Sequence, residues 1–420
     1  MSTKGDRLVI IGNGSAAISA VRAIGEVGAA ARVTVVSRES LPCYSPTALH
    51  YLLTGQTGDD ELWLRDNSFY ADHNVELASG RQVVALNVRH STITLDDGCE
   101  LPFDKLLIAS GASPLIPPVP GLRGPGVFVL RSLADARQLR EQAVRGRRAF
   151  VLGAGLIGLQ VAHAFSEMGL HVTVVEREGQ VLPLNLDAKA AEVVKRCYEE
   201  HDVTVILDRT LCELARNADD GRLIARLSDG EAVPADLVVV AAGVKPNVDF
   251  LTGSGVNVRL GILVDERMQT NIPGIYAAGD VAEAPDFFSR QPSYNAILPA
   301  AVEQGDVAGT NMAGGAKTYT GNIPMSILRY WDQWAISLGS ASGPTVCEKQ
   351  WPGNRCYRRL VFEENRLVGG VFVNTAIDPG IIISLIQNRV ELDEQEVESL
   401  RQAPIHFSRG MMLRQEGYLR

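Results

Sequence analysis

One local plan occurs twice in this chain, and nothing else in the sequence constrains its fold as much. The first copy starts with Leu8-Val9-Ile10-Ile11, turns at Gly12-Asn13-Gly14-Ser15-Ala16-Ala17, and passes through an Ala-rich helical stretch to Arg32-Val33-Thr34-Val35-Val36. The second starts with Ala149-Phe150-Val151-Leu152 and turns at Gly153-Ala154-Gly155-Leu156-Ile157-Gly158. A helical stretch then runs to Met168, closed by Gly169, before His171-Val172-Thr173-Val174-Val175. Each copy reads as strand, tight glycine turn, helix, strand, the βαβ unit that opens a parallel sheet.

The spacing of small residues in these turns has a physical purpose. The first glycine makes the turn, the second lets a pyrophosphate reach the backbone, and the third small residue lets helix and strand pack closely. The helix N-terminus adds N–H donors and partial positive charge. In the first copy the third position is Ala17, in the second Gly158. A tight turn without a ligand is the competing reading of either copy alone. Two copies, each after a strand and before a helix, point to two dinucleotide sites. The residue ending the second strand of a copy reads the adenosine ribose. In the second copy it is Glu176, whose carboxylate accepts from ribose hydroxyls and repels a 2′-phosphate. NADH is therefore expected over NADPH, although the neighbouring Arg177 argues the other way. In the first copy Ser37 or Glu39 occupies the equivalent place, and the sequence leaves that choice open, as it does the reading of Glu39 as a solvated turn carboxylate.

Three further segments organise the chain. Lys105-Leu106-Leu107-Ile108-Ala109 is a buried strand ending in Ser110-Gly111, followed by a stiff connector with Pro114, Pro117, Pro118 and Pro120. Leu237-Val238-Val239-Val240-Ala241 ends the same way, in Ala242-Gly243. After about residue 320 the pattern becomes short aromatic- and Arg-containing strands such as 357–362 and 367–373, then a helix over 381–389. The fold expected is α/β: two Rossmann-like dinucleotide-binding domains, one inserted in the other, plus a C-terminal α+β domain. The expected boundaries are 1–115 and 245–320 for the first, 116–244 for the second and 321–420 for the third.

Composition sets broad limits. With 420 residues, 46% hydrophobic and 21% charged, the chain has ample core for several domains. A net charge of −9 argues against a nucleic-acid partner, which requires a basic face. No apolar run reaches the roughly 18–20 residues of a membrane span, and the polar segment before Leu8 does not resemble a secretory signal. The six cysteines include no C-x-x-C pair. A cytoplasmic protein with reduced thiols and no metal site is expected.

Thr270-Asn271-Ile272-Pro273-Gly274-Ile275-Tyr276-Ala277-Ala278-Gly279-Asp280-Val281 completes the pattern. With both glycine turns, Ser110-Gly111 and Ala242-Gly243, it resembles the FAD-dependent pyridine-nucleotide oxidoreductases of the glutathione-reductase fold type. The resemblance covers roughly residues 7–315. It is strongest to the branch with the flavoprotein part of assimilatory nitrite reductase, rubredoxin reductase and NADH oxidase. It implies FAD at Gly12, Gly14, Ser15, Ala16, Ala17, Val83, Ser110, Gly111, Gly279 and Asp280, together with Ser37 or Glu39. Asp280 would meet the ribitol chain, and the following helix would point its N-terminus at the flavin. NAD is implied at Gly153, Gly155, Leu156, Ile157, Gly158, Glu176, Ala242 and Gly243.

The loop from Glu39 to Gly55 is where the family varies. Its disulfide reductases carry a cysteine pair there, whereas this chain has Cys43 alone, which reads either as a redox thiol or as a packed, inert one. The Lys or Arg and the Glu that often stand near the flavin in the family are replaced by Pro46 and Gln160. His50 reads as a hydrogen-bonded or surface histidine or a proton donor. Trp331 and Trp334 read as core of the third domain or as a stacking or docking face. The family's C-terminal His–Glu pair is not matched, His406 being the only histidine after residue 201. Hydride chemistry comes from the cofactors. The expected role is an electron-transfer subunit passing electrons between NAD(H) and an iron–sulfur protein or subunit through FAD. A self-contained NADH oxidase or peroxidase and a redox-sensing binding module are the alternatives.

Overall fold

The computed structural model describes residues 5–217, 220–351, 353, 355–402, 404 and 407. His406 lies outside these residues. The chain divides into two compact units, one of Met1–Ala48, Thr57–Ser113 and Val244–Asn322, the other of Leu49–Gln56, Pro114–Gly243 and Ile323–Arg420.

The first unit is built on a five-stranded parallel sheet. Its order is Ile275–Ala277, Lys105–Ile108, Asp6–Ile11, Ala31–Ser37, Val75–Ser79. Leu8, Val9, Ile10 and Leu106 to Ile108 are at most 2% exposed. A continuous apolar run, rather than alternation, is what a sheet covered on both faces requires. The helices Ser15–Val27 and Leu298–Met312 pack on each other with unusual closeness. Cβ atoms at Gly305 and Gly309 would fall 2.1 Å from the Ala16 carbonyl oxygen and 2.4 Å from that of Ala20, so only glycine fits the crossing. A three-stranded antiparallel meander, Val83–Asn87, Thr92–Leu95 and Glu100–Pro102, is inserted after the third strand.

The second unit repeats this plan in more detail than the sequence reading anticipates. Its parallel sheet has the order Val203–Ile206, His171–Val175, Arg148–Leu152, Leu237–Val240, Val127–Phe128. It carries its own meander at the same point, Leu211–Arg216, Leu223–Leu227 and Ala232–Ala235. The duplication therefore spans whole sheets. In both, the strand that precedes the glycine turn, Asp6–Ile11 or Arg148–Leu152, lies where the strand order reverses, and in such sheets ligands bind beyond the carboxyl ends of the strands at that point.

Two further elements group with the second unit. The short helix Leu49–Thr54 buries Leu49, Leu52 and Leu53 to 1% exposure against the helices Leu133–Arg145 and Leu156–Glu167. Each such leucine contributes about 1.5–3 kcal/mol. The C-terminal part is a five-stranded antiparallel sheet of order Met325–Tyr330, Gln333–Gly339, Arg366–Val373, Tyr357–Glu363, Thr345–Gln350. The helix Pro379–Gln387 begins two residues before the expected start, because Asp378 caps it and Pro379 suits its first turn. No helix among the described residues is long and apolar enough to cross a membrane.

Candidate dinucleotide sites

The two glycine turns have the same geometry. Gly12 and Gly153 both have φ of +107°, left-handed backbone that favours glycine. Gly12 N–H donates to Val36 O and Gly153 N–H to Val175 O, each at 2.8 Å. A Cβ at Gly12 would lie 2.1 Å from Ala109 O, and one at Gly153 would lie 2.5 Å from Ala241 O. The strands ending in Ser110-Gly111 and Ala242-Gly243 thus press each first glycine from behind.

The second glycines differ from the first in both conformation and surroundings. Gly14 and Gly155 have ordinary φ values of −89° and −75°, and a Cβ on either would meet no atom within 4 Å. The chain itself does not need glycine there. That open backbone leaves room for a group to lie against it. Both residues start helices, Ser15–Val27 and Leu156–Glu167, and neither has a side chain with which to cap the first-turn N–H groups. An anion placed there is favoured by those donors and by the helix dipole. The third positions differ between copies: Ala17 is fully buried, whereas a Cβ at Gly158 would fall 1.9 Å from Gly153 O.

The candidate ribose-end groups stand at the carboxyl ends of the second strands. Glu176 is 8% exposed, and its carboxylate accepts from the N–H groups of Ala154 at 2.8 Å and Glu178 at 3.1 Å. It therefore holds the second glycine turn, and each oxygen keeps lone-pair capacity for a further donor. Arg177 is exposed and pairs with Glu178 at 3.0 Å. In the first unit the Ser37 hydroxyl is buried and donates to Glu39 O at 2.8 Å, which leaves the Glu39 side chain, accepting from Tyr44 hydroxyl at 2.8 Å, as the outward group.

The small-residue turn at Ser110 is locked by a residue the sequence reading passes over. Asn247 Nδ2 donates to Ser110 O at 2.8 Å, Ser110 Oγ donates to Asn247 O at 2.9 Å, and Ser113 Oγ donates to Asn247 Oδ1 at 2.7 Å. Asn13, between the two glycines of the first turn, is similarly engaged. Its Oδ1 accepts from Tyr70 hydroxyl at 2.8 Å, and that hydroxyl accepts from Cys43 N–H at 3.3 Å. Gly279 has φ of +78°, and Asp280 follows it, with its carbonyl accepting from Tyr294 hydroxyl at 3.0 Å. The helix expected to follow starts at Leu298, beyond the short strands Ala282–Pro285 and Pro292–Ser293. Val83, at the head of the first meander, is 7% exposed.

The remaining candidates divide. Cys43 is 2% exposed, and burial pushes its thiol up to about 12, with Arg65 opposing. That holds the sulfur protonated, the state of a packed rather than a reactive cysteine. Gln160 is half-buried on the helix Leu156–Glu167, and Pro46 starts a single turn, Pro46–Ala48. His50 is buried on Leu49–Thr54 with its ring 3.9 Å from that of Tyr51. Trp331, read from the sequence as core of the third domain or as a stacking or docking face, is partly buried and packs on aromatic rings. It sits in the hairpin turn with φ of +47°, stacks on His201 at 3.8 Å, and its backbone N–H donates to His163 Nε2 at 2.9 Å. The positive φ aims the ring off the sheet and onto neighbouring helices.

Residues 6–305 match the family model described as pyridine nucleotide-disulphide oxidoreductase. Among curated proteins, the chain is 36% identical over 392 residues to NADH-dependent phenylglyoxylate dehydrogenase subunit epsilon of Aromatoleum evansii, covering 92% of each. It is 32% identical over 311 residues to rubredoxin-NAD(+) reductase of Pseudomonas putida, covering 72% of this chain and 80% of that protein. Among solved structures, putidaredoxin reductase in its covalent complex with putidaredoxin superposes with a TM-score of 0.87 at 24% identity, covering 96% of this chain and 99% of that one. FAD and NAD(H), the cofactors of this family, fit the two cradles. The chain therefore belongs to the pyridine nucleotide-disulphide oxidoreductase family.

Proposed function

We propose that this chain is the FAD-carrying, NAD(H)-linked electron-transfer subunit of a larger cytoplasmic oxidoreductase, exchanging electrons with an iron–sulfur protein or subunit. The observation that carries the reading is the likeness along 92% of both chains to a named subunit of an NADH-dependent dehydrogenase. The relation to rubredoxin-NAD(+) reductase supports a protein as the electron partner. Cys43, buried and protonated, supports electron exit that does not pass through a thiol.

Each cradle has a defined task in this reading. Gly153, Gly155 and Gly158 seat the NAD(H) pyrophosphate on the helix Leu156–Glu167, with Glu176 at the ribose. Gly12, Gly14 and Ala17 seat that of FAD on Ser15–Val27, with Glu39 at its ribose and Asp280 at the ribitol chain. FAD, when bound, supplies the conversion between a two-electron hydride donor and a one-electron acceptor.

Purification from the native source at low salt tests the proposal. A stoichiometric iron–sulfur partner is expected, with NADH-dependent reduction of its clusters and little oxygen uptake. A lone chain that turns over NADH with oxygen as fast as with artificial dyes would overturn it.

A further inference from the structure

The turn that carries Asp280 is held by side chains from other parts of the first unit. Gly279 N–H donates to Gln304 Oε1 at 2.8 Å, and one residue later the Asp280 carbonyl accepts from Tyr294 hydroxyl. Gln304 is 3% exposed on the helix Leu298–Met312. An N–H can only donate, so the amide oxygen must be the end that faces Gly279. The amide's orientation is thereby set.

The next residue in the helix makes the second contact. At Gly305 a Cβ would lie 2.1 Å from the carbonyl oxygen of Ala16, and at Gly279 one would lie 3.2 Å from the Ala16 Cβ. Consecutive residues of one helix thus address two separate parts of the first cradle. Gly305 rests on the Gly12–Ala17 turn, and Gln304 grips the turn bearing Asp280. A glycine in the left-handed region has other backbone conformations within reach, so a fixed acceptor for its N–H selects one.

We propose that Gln304 is a positioning residue for FAD: through Gly279 it sets where Asp280 stands relative to the Gly12–Ala17 cradle, with Gly305 as the fixed point. The proposal rests on the assignment of FAD to the first cradle. Gln304→Met preserves shape but removes the acceptor, and Gln304→Glu keeps an acceptor at the same place.

The experiment strips flavin from each protein, titrates the apoprotein with FAD by fluorescence quenching, and records the visible circular dichroism of the bound flavin. Gln304→Met should bind FAD about tenfold or more weakly and shift the flavin bands, the loss of a buried donor's partner being of that order. Gln304→Glu should stay within about threefold of wild type with its bands unmoved, since the acceptor is retained. Wild-type affinity and bands in Gln304→Met would overturn the proposal. So would a Gln304→Glu variant as weak as Gln304→Met, since an acceptor for Gly279 N–H would then not be what FAD binding depends on. If Gln304→Met does not fold, Gln304→Glu decides alone, because the proposal requires it to hold FAD in the wild-type environment. A wild-type chain that takes up no FAD would instead overturn the cofactor assignment, a separable result.

Discussion

Alanine at the second and third glycines of the nicotinamide turn should produce opposite effects, and the geometry says by how much. At Gly158 an added Cβ would sit 1.9 Å from Gly153 O and 3.0 Å from Gly153 C, with the Ala241 Cβ at 3.4 Å. Real Cβ contacts do not close below 3.0 Å, so helix and turn must part by about 1 Å, and the opposing atoms are backbone with no rotamer to yield. Overpacking of this kind costs about 1–3 kcal/mol. With roughly 2–4 °C lost per kcal/mol in units of 150–250 residues, Gly158→Ala should lower Tm by several degrees. Gly155→Ala meets nothing within 4 Å and has a φ of −75°, so its Tm should stay within about a degree of wild type. Its methyl would occupy the space where a pyrophosphate approaches, so KM for NADH should rise about tenfold or more, the loss of one or two charge-assisted hydrogen bonds. Calorimetry and steady-state dye reduction read the two effects separately. Gly155→Ala with an unchanged KM would refute the reasoning, because the glycine would then serve neither the chain nor a ligand.

Other consequences follow from individual side chains. Glu176→Ala removes the acceptor for Ala154 N–H, so NADH affinity should fall about tenfold or more, and preference over NADPH should narrow; equal ratios of kcat/KM before and after would contradict this role. At pH 8 a thiol with a pKa of about 12 is ionised in about one molecule in ten thousand. Iodoacetamide followed by mass spectrometry should therefore label the exposed Cys99 and Cys212 long before Cys43, and Cys43→Ser should leave dye reduction intact. The Arg7 guanidinium and backbone N–H hold the Asp104 carboxyl down to about 2. A depressed carboxyl stabilises the fold above its unfolded pKa of about 4 and loses that contribution as pH falls toward 2. The Tm gap between wild type and Asp104→Asn should hold steady from pH 7 to 5 and shrink below about pH 4; a gap that widens in acid would show the sign to be wrong.

The C-terminal part shows how a side chain's partners escape a linear reading. Trp331 was assignable to a strand-rich region, yet its ring contacts belong to His163 and His201, well over a hundred residues earlier. A hairpin turn with positive φ decides that direction, and no periodicity encodes it. Cys43 was open between redox and packed readings because its ionisation depends on burial, a property of the folded unit rather than of its neighbours in sequence.

The duplicated cradle was determined by the sequence alone. Its constraints act within six consecutive residues: a left-handed first glycine, an open second one, and a small third residue against the turn, each with a local steric cause. The strands beside it were also legible, since a sheet covered on both faces demands unbroken apolar runs. What the tertiary structure decided lies in contacts between distant residues. Asn247 locks Ser110 from 137 positions away, Gln304 holds Gly279 across 25, and Ser37 turns inward while Glu39 faces out. Polar side chains such as these suit a surface as well as a core, and only the burial that the assembled sheets impose makes each hydrogen-bond partner obligatory.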